Sequence, residues 1–411
     1  MKRIRILGML LCSLWLLTLG ANAALITDIE SGESEEELLS LKAPEVLSDL
    51  WAEDVVADGN ALQIGGKSAV LMDQASGTVL YEKNAHEKLP IASVTKVMTL
   101  LLVMEAIEDE FITYEDLVTC SSVAASMGGS QIWLEPGEVM SVHDLIKAAA
   151  VVSANDACAA LAEHVAGSIE GFVERMNIRA AELGMNDTHF LDCSGLNDEA
   201  YSCAHDVALM SRELMKHPAV KQYTTIWMDT LRDGKSQLVN TNKLIRFYDG
   251  ATGLKTGTTS TAGHNLAATA ERNGLGLVAV ILGCDTTDER FGGARKLLDH
   301  GFANYTVYTP SLDDTTLSPI AVLRGVEERA DILPDQMTPI LVKKGAEKQI
   351  TRTVRIAEDV EAPVEKGQVV GEVTFTLNGE ELARYPVRVC KEIVRLNFGI
   401  AFTRLWQALC L

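Results

Sequence analysis

Basic residues are scarce in this sequence: 36 lysines and arginines stand against 57 aspartates and glutamates in 411 residues, and the formal net charge is −21. A basic surface that could follow a phosphate backbone is not expected from this balance, so nucleic acid is excluded as a partner. Hydrophobic residues nevertheless make up 47% of the chain, enough for one or two buried cores. We therefore expect a globular protein.

Cysteine and histidine are also few, and neither shows the spacing of a ligand set. The eight cysteines stand at 12, 120, 158, 193, 203, 284, 390 and 410, and the eight histidines are scattered. Such wide spacing favours buried thiols over a zinc site or a disulfide-stapled domain, although a pair between Cys193 and Cys203 stays open. We expect no metal and no cofactor.

The N-terminus has the pattern of an export signal. Three basic residues come first, an apolar stretch covers residues 6–19, and the small-residue motif Ala-Asn-Ala occupies 21–23. This predicts a signal peptide over residues 1–23 and a protein that works outside the cytoplasm; an uncleaved anchor is the alternative. The next segment, 24–61, reads as an acidic spacer, because residues 28–58 hold eleven acidic residues and the single basic Lys42.

Periodicity predicts an α/β fold for residues 62–308, with an antiparallel sheet, helices and an inserted helical region. Two strands of a hairpin, "SAVLMD" and "TVLYEK", flank the turn "QASG". Helical spacing then dominates from Ser93 to about His217, and strands return at "HNLAATAE" and "LGLVAVILG" around the turn "RNG". A helix containing "RKLLDHGFANY" should end near Tyr305.

Short runs of alternating apolar and polar residues over 309–390 predict a separate small all-β domain. The clearest hairpin is "EVTFTLNGEELARYPVRV", in which apolar residues alternate up to Asn378-Gly379 and then back. The last segment, 391–411, is apolar enough to predict attachment to a membrane surface, yet Arg395 and Arg404 fall on nearly opposite sides of a single helical wheel. A helix packed on the β domain is the alternative.

Ser93 and Lys96 stand three positions apart at the head of an apolar helical run, "IASVTKVMTLLLVM". That spacing puts both side chains on one face, where a lysine of depressed pKa can take the serine proton. Alone the pattern is weak, because chance gives roughly one S-x-x-K in a chain of this length and an N-cap serine beside a surface lysine would look the same. Two further patterns occur once each: Ser153-Ala154-Asn155, and Lys255-Thr256-Gly257 before the strand pair.

In this ordered set of three motifs the chain resembles the penicillin-binding, low-molecular-weight D-alanyl-D-alanine carboxypeptidases, which are serine enzymes. The resemblance extends over "GGSQIWLEPGEVMSVHDLIKAAAVVSANDA", "MNIRAAELGMNDTHFLDCSGL" and "RKLLDHGF", and the β domain and apolar tail fit the family's layout. It implies a β-lactamase/transpeptidase-like catalytic domain. It also implies removal of the terminal D-alanine from peptidoglycan stem peptides, covalent binding of β-lactams, and no cofactor.

The resemblance assigns catalytic roles to residues of the first two motifs. Ser93 would be acylated, and Lys96 would be its general base. Ser153 would pass a proton to the leaving D-alanine amine, while Asn155 would bind the substrate's amide backbone and help to hold Lys96.

The third motif is implied to bind the substrate. Lys255 and Thr256 would face its free carboxylate, and Gly257 would let the strand approach closely. The backbone N–H of Thr258 would join that of the nucleophile in an oxyanion hole. Arg290 is a possible second carboxylate contact, with a surface arginine as the alternative.

Other activities of the same fold remain open on sequence grounds. A β-lactamase of the glutamate-dependent kind has Glu where "CSGLN" has Cys193, so deacylation of a bound penicillin should be slow. A D,D-endopeptidase and a non-catalytic wall-binding scaffold are the further alternatives. Cys158, one turn after Asn155, is interpreted as a small buried residue.

Overall fold

A computed structural model describes residues 62–312 and 317–410. The predicted signal peptide and acidic spacer lie outside the described residues. The cores of the described part form three clusters, two on the opposite faces of a central sheet and one in the C-terminal β region.

The strands, in chain order, are β1 (Ser68–Asp73), β2 (Val79–Lys83), β3 (Leu117–Thr119), β4 (Val139–Ser141), β5 (Met228–Leu231), β6 (Ser236–Val239), β7 (Ala251–Thr259), β8 (Gly263–Arg272), β9 (Leu275–Cys284), β10 (Tyr305–Tyr308), β11 (Ile320–Leu323), β12 (Arg329–Ala330), β13 (Ile332–Pro334), β14 (Ile340–Lys343), β15 (Ile350–Ile356), β16 (Asp359–Glu361), β17 (Val369–Leu377) and β18 (Glu380–Val389). The α-helices are α1 (Lys96–Glu108), α2 (Ser122–Ala125), α3 (Val142–Val151), α4 (Asn155–Ala166), α5 (Ile169–Glu182), α6 (Ala204–Leu214), α7 (Lys221–Thr224), α8 (Leu244–Phe247), α9 (Thr287–Asn304) and α10 (Phe398–Cys410).

The central sheet has the strand order β2-β1-β9-β8-β7, and every neighbouring pair is antiparallel. The predicted hairpins are confirmed, and Asn273 and Gly274 in the "RNG" turn have φ of 52° and 82°, as a tight hairpin turn requires. β7, which carries Lys255-Thr256-Gly257, is an additional edge strand that the periodicity did not reveal. An edge strand leaves backbone groups open beside it.

The helical region lies between β2 and β7 in the chain, as the sequence predicts. Its helices pack on one face of the sheet around a core that includes Val97, Leu101, Ile146 and Leu161. α9 packs on the other face through Phe291, Leu297 and Leu298, and it ends at Asn304, close to the predicted end. The result is a sheet with both faces covered.

The C-terminal region is all β, as predicted. β13, β18, β17 and β15 form one sheet, and β12, β11 and β16 form another. The β17–β18 hairpin turns at Asn378 and Gly379, with φ of 54° and 89°. Its inward residues Val373, Phe375 and Val387 are fully buried, which confirms the alternation seen in the sequence.

The last helix, α10, starts at Phe398, so Arg395 lies before it and pairs with Glu361 at 3.4 Å. The objection that two arginines occupy opposite sides of one helix was therefore wrong. Arg404 lies on the helix and its Nη1 donates to Val326 O at 2.7 Å. Among the helices of the described ranges, none combines the length and hydropathy needed to cross a membrane.

Candidate active site

Ser93 lies on a 3-10 turn, Ala92–Thr95, that leads directly into α1. The α-helix begins at Lys96, three residues later than the sequence suggested. The spacing still brings the two side chains together: Lys96 Nζ lies 2.9 Å from Ser93 Oγ. Ser93 is half-buried, so a substrate can reach it, whereas Lys96 is fully buried.

Burial sets the protonation of Lys96. Desolvation lowers the pKa of its ammonium group, while negative charge that can develop at Cys158, Cys193 and Asp192 acts in the opposite direction. Nζ also lies 2.6 Å from Ser194 O, so the amine has a fixed position. A lysine whose pKa is lowered in this way loses its proton more readily than an exposed lysine, which a general base requires.

The loop that supplies Ser194 O is organised by Asp192, and sequence reasoning missed it. The carboxylate of Asp192 accepts hydrogen bonds from the backbone N–H groups of Ser194 (2.6 Å), Gly195 and Asn197 (2.7 Å). Such a carboxylate-centred turn fixes the direction of each carbonyl in the loop. The signal for it in the sequence is the aspartate that precedes a Ser-Gly pair in "DCSGLN", since such residues form side-chain-to-backbone turns.

Two glycines allow close approaches to the nucleophile turn. A Cβ on Gly257 would lie 2.5 Å from Ile91 O and 3.1 Å from Ser93 N, so β7 runs against the turn. Gly195 has φ of 80°, and its Cβ would overlap the Ala92 carbonyl. Ser93 is thus held between β7 and the loop at residues 192–197.

Lys255 is a second buried lysine close to Lys96. Desolvation lowers its pKa well below the usual value, and the positive charges of Lys96 and Arg290 lower it further. Its Nζ donates to Thr256 O at 2.9 Å, and Thr256 Oγ1 donates to Thr241 Oγ1 at 2.7 Å. Burial and the neighbouring positive charge of Lys96 both disfavour the protonated form of Lys255.

Ser153 lies on the short link between α3 and α4, and Asn155 is the first residue of α4. Ser153 is buried with φ of 64°, a strained value for a residue with a side chain. Asn155 Nδ2 donates to Gly128 O at 2.7 Å, and its Oδ1 is buried and has no hydrogen-bond partner among the described residues. That oxygen is available to a substrate N–H or to an ammonium group.

Thr258 and Arg290 meet at the end of the third motif. Arg290 is buried, and its Nη1 lies 3.0 Å from Thr258 Oγ1, 3.2 Å from Gly257 O and 3.3 Å from Asn265 O. The surface-arginine alternative is therefore wrong. Arg290 supports the backbone of β7, and contact with a substrate carboxylate stays a prediction.

The thiols close to the site are buried and protonated. Burial raises the pKa of Cys158 to about 11 and also raises that of Cys193. Cys193 and Cys203 are both free thiols, so the open pairing between them is not formed. Cys158 is fully buried, which agrees with its interpretation as a small core residue.

Ser93 supplies a nucleophile, Lys96 supplies a base within hydrogen-bond reach, and Lys255 supplies a second buried amine on the edge strand β7. This combination suits acyl transfer to a serine, because each role of a covalent mechanism has a candidate group.

Comparison with known proteins identifies the family. The family model described as D-alanyl-D-alanine carboxypeptidase matches residues 55–286, and the model of the penicillin-binding protein 5 C-terminal domain matches 305–395. The D-alanyl-D-alanine carboxypeptidase DacF of Bacillus subtilis is 40% identical over 337 residues, which cover 81% of this chain and 87% of that protein.

Two solved structures extend the comparison. Penicillin-binding protein 5 of Haemophilus influenzae superposes with a TM-score of 0.70 at 31% identity, over 81% of this chain and 99% of its own. Penicillin-binding protein D2 of Listeria monocytogenes, in its ampicillin-bound form, superposes with a TM-score of 0.54 at 33% identity, over 59% of this chain and 99% of its own. The chain belongs to the D-alanyl-D-alanine carboxypeptidase family, the serine peptidases that the three motifs indicated.

Proposed function

We propose that this serine-type D-alanyl-D-alanine carboxypeptidase works through an acyl-enzyme on Ser93, with Lys96 as general base. The observation that carries the proposal is the 2.9 Å separation between Lys96 Nζ and Ser93 Oγ at a fully buried amine. The substrate is a peptidoglycan stem peptide that ends in D-Ala-D-Ala.

In the acylation step, neutral Lys96 takes the Ser93 proton as Oγ attacks the carbonyl of the penultimate D-alanine. The negative charge that develops on the carbonyl oxygen is stabilised by the backbone N–H groups of Ser93 and Thr258. The close packing of β7 against the nucleophile turn at Gly257 supports this pairing of the two N–H groups. The C–N bond then breaks, and Ser153 passes the proton from Lys96 to the departing D-alanine amine.

Substrate binding itself prepares the base. Lys96 and Lys255 share a dry site, and each disfavours a proton on the other. A substrate carboxylate beside Lys255 favours the protonated form of that amine, and the Thr256 hydroxyl, turned away from Thr241, adds a hydrogen bond. Lys96 is then left neutral, as a base must be. Substrate recognition and base activation are thereby one event.

β-Lactams are proposed to acylate the same serine, since the related D2 protein has a structure with ampicillin bound. Hydrolysis of the resulting β-lactam acyl-enzyme should be slow, because Cys193 stands where a glutamate would activate the deacylating water. Its thiol is buried and its pKa is raised, so it is a poor base.

Covalent labelling tests the nucleophile. Fluorescent penicillin should label the purified protein, and Ser93→Ala should abolish labelling while the unfolding temperature stays unchanged. Ser260→Ala, at an exposed serine near the third motif, is the matched control and should label normally. Persistent labelling of the Ser93→Ala variant would overturn the assignment.

A blocked substrate separates carboxypeptidase from endopeptidase action. Amidating the terminal D-alanine should lower turnover at least about tenfold, because one lost charged hydrogen bond is worth roughly 1.5–3 kcal/mol. The Lys255→Ala variant should show a similar loss of turnover with the free-acid substrate. With the amide its turnover should fall little further, because both changes remove the same interaction. Lys221→Ala, at a surface lysine paired with Glu271, is the control. Equal turnover of acid and amide by the unmodified enzyme would favour an endopeptidase.

We also propose that the protein is exported and attached to the outer face of the cytoplasmic membrane through α10. Phe398, Phe402 and Trp406 stack along the helix at centroid distances of 6.1 and 6.3 Å, and all three are exposed. Because Arg404 donates to Val326 O, it tethers the helix to the β domain. An exposed aromatic row suits the interfacial region of a bilayer.

Vesicle sedimentation tests the attachment. The double variant Phe402→Ser/Trp406→Ser should lose binding to vesicles containing anionic lipid. Leu333→Ser, at an exposed leucine of the β domain, should retain it. Equal sedimentation of both variants would contradict a role for α10.

A further inference from the structure

Outside the active site, three side chains from separate parts of the chain converge. They are His86 on the loop after β2, Asp187 on the loop after α5, and Cys203 at the N-cap of α6. Their ligand atoms all lie within 4.8 Å of one another, and within the described ranges this is the group that could hold a metal ion. His86 and Asp187 are 101 positions apart, which explains why ligand spacing in the sequence gave no sign of them.

The three donor side chains differ in solvent exposure. Cys203 is fully buried, Asp187 has a side chain 27% exposed, and that of His86 is 62% exposed. A buried sulfur with an open outer face gives an ion both a soft ligand and an entry path. Hard cations such as Ca²⁺ and Mg²⁺ prefer all-oxygen shells, whereas one sulfur, one nitrogen and one oxygen suit Zn²⁺.

The neighbouring residue Asp206 contacts two of the donors, Asp187 through its carboxylate and Cys203 through its backbone N–H. Asp206 Oδ2 accepts from Asp187 N at 2.9 Å and from Thr188 Oγ1 at 2.8 Å. Asp206 N in turn donates to Cys203 Sγ at 3.4 Å. Asp206 therefore fixes the backbone of Asp187 and the sulfur of Cys203 relative to each other, so the two ligands are positioned before an ion binds.

The remaining charges are compatible with a divalent cation. Lys88 Nζ lies 3.5 Å from Asp187 Oδ1, and His86 Nδ1 lies 3.1 Å from the other oxygen, Oδ2. One carboxylate oxygen therefore faces the donors while the other faces the lysine. The His205 ring packs against that of His86 with centroids 4.8 Å apart, but its Nδ1 lies 3.5 Å from Asp206 Oδ1, so a water molecule is the expected fourth ligand.

We propose that His86, Asp187 and Cys203 form a structural zinc site. In tetrahedral zinc, neighbouring donor atoms are about 3.3–3.8 Å apart, and here all of them lie within 4.8 Å of one another, so closing the group needs a shift of at most about 1–1.5 Å. Binding displaces the thiol proton to solvent and replaces the His86–Asp187 contact with two metal bonds.

A bound ion would crosslink two segments that position the catalytic groups: the chain that leads from His86 to the nucleophile turn, and the chain between Asp187 and Cys203. Leu89, between His86 and the nucleophile turn, exchanges backbone hydrogen bonds with Ser202 at 2.8 and 3.0 Å. The chain between Asp187 and Cys203 includes Ser194, whose carbonyl contacts Lys96. Zinc binds only the folded arrangement, so it should raise the unfolding temperature by roughly 3–8 °C at about 100 times its Kd.

Metal content and spectroscopy test the proposal on the full chain. EDTA-treated protein, given equimolar Zn²⁺ and desalted, should retain one ion per chain by mass spectrometry, and Zn²⁺ but not Mg²⁺ should raise its Tm. With Co²⁺ it should show a thiolate-to-cobalt charge-transfer band, which reports sulfur ligation independently of activity.

Conservative variants keep the test clear of misfolding. Cys203→Ser retains an N-cap oxygen but loses the soft ligand, so it should lose the cobalt band and most zinc binding. His86→Gln, at an exposed position, should weaken zinc binding at least tenfold. Cys120→Ser and His189→Gln, outside the group, are the controls. Absence of retained zinc in the unmodified protein, or a cobalt band that survives Cys203→Ser, would overturn the proposal.

Discussion

Gly195 leaves no room for a side chain where the loop at residues 192–197 meets the nucleophile turn. A Cβ there would overlap the Ala92 carbonyl and lie 2.9 Å from Ser93 N, whereas ordinary contact is 3.4–4 Å. In Gly195→Ala the turn must move by about 1 Å, and a shift of that size can cost about 100-fold in rate. We therefore expect acylation by fluorescent penicillin to slow about 100-fold.

Gly184→Ala is the matched control, because it separates backbone strain from the clash. Gly184 has φ of 75°, close to the 80° of Gly195, but nothing lies within 4 Å of its Cβ position. Each variant should lose about 1–2 kcal/mol of stability from the left-handed conformation, measured by denaturant unfolding. Only Gly195→Ala should also lose acylation. Acylation within about threefold of the unmodified enzyme would refute the idea that this contact positions Ser93.

Further predictions concern the base, its pKa and the loop beside the second motif. Lys96→Arg should slow single-turnover acylation by orders of magnitude while substrate binding survives, since a guanidinium does not give up its proton; near-normal acylation would move the base role elsewhere. Because burial lowers the pKa of Lys96, the acylation rate should persist well below pH 10.5 and fall only as pH drops through that lowered pKa; a rate that rises only near pH 10.5 would contradict this. Asp156 accepts from Ile132 N and Leu134 N at 3.0–3.2 Å in a buried site, so Asp156→Ala should cost at least about 3 kcal/mol in urea unfolding; a loss below about 1 kcal/mol would show that the loop does not depend on this carboxylate.

Local features were predictable because they depend on neighbours within a few residues. The hairpin turns at Asn273-Gly274 and Asn378-Gly379 follow from the positive φ that these residues accept readily. The Ser93–Lys96 contact follows from a three-residue spacing, which places side chains on one face even though the first turn is 3-10. Where sequence reasoning failed locally, at Arg395, the helix boundary was misplaced by a few residues.

The rest depends on which distant segments the topology brings together. Ser194 O reaches Lys96 across 98 positions, and the Ser93 turn is approached by Gly195 from a loop and by Gly257 from β7. The lowered pKa of Lys255 needs both burial and a neighbouring lysine that lies far away in sequence. No periodicity encodes such approaches, because they are consequences of chain folding and not of local spacing.

By itself, the sequence determined the motifs, most of the strand and helix segments and the kind of chemistry, since residue types and short spacings carry that information. Only the tertiary structure decided which groups surround Lys96, that Arg290 supports β7, and that His86, Asp187 and Cys203 meet. The physical reason is that protonation, close approach and ligand geometry depend on burial and on distances of a few ångströms, which exist only after distant segments have packed.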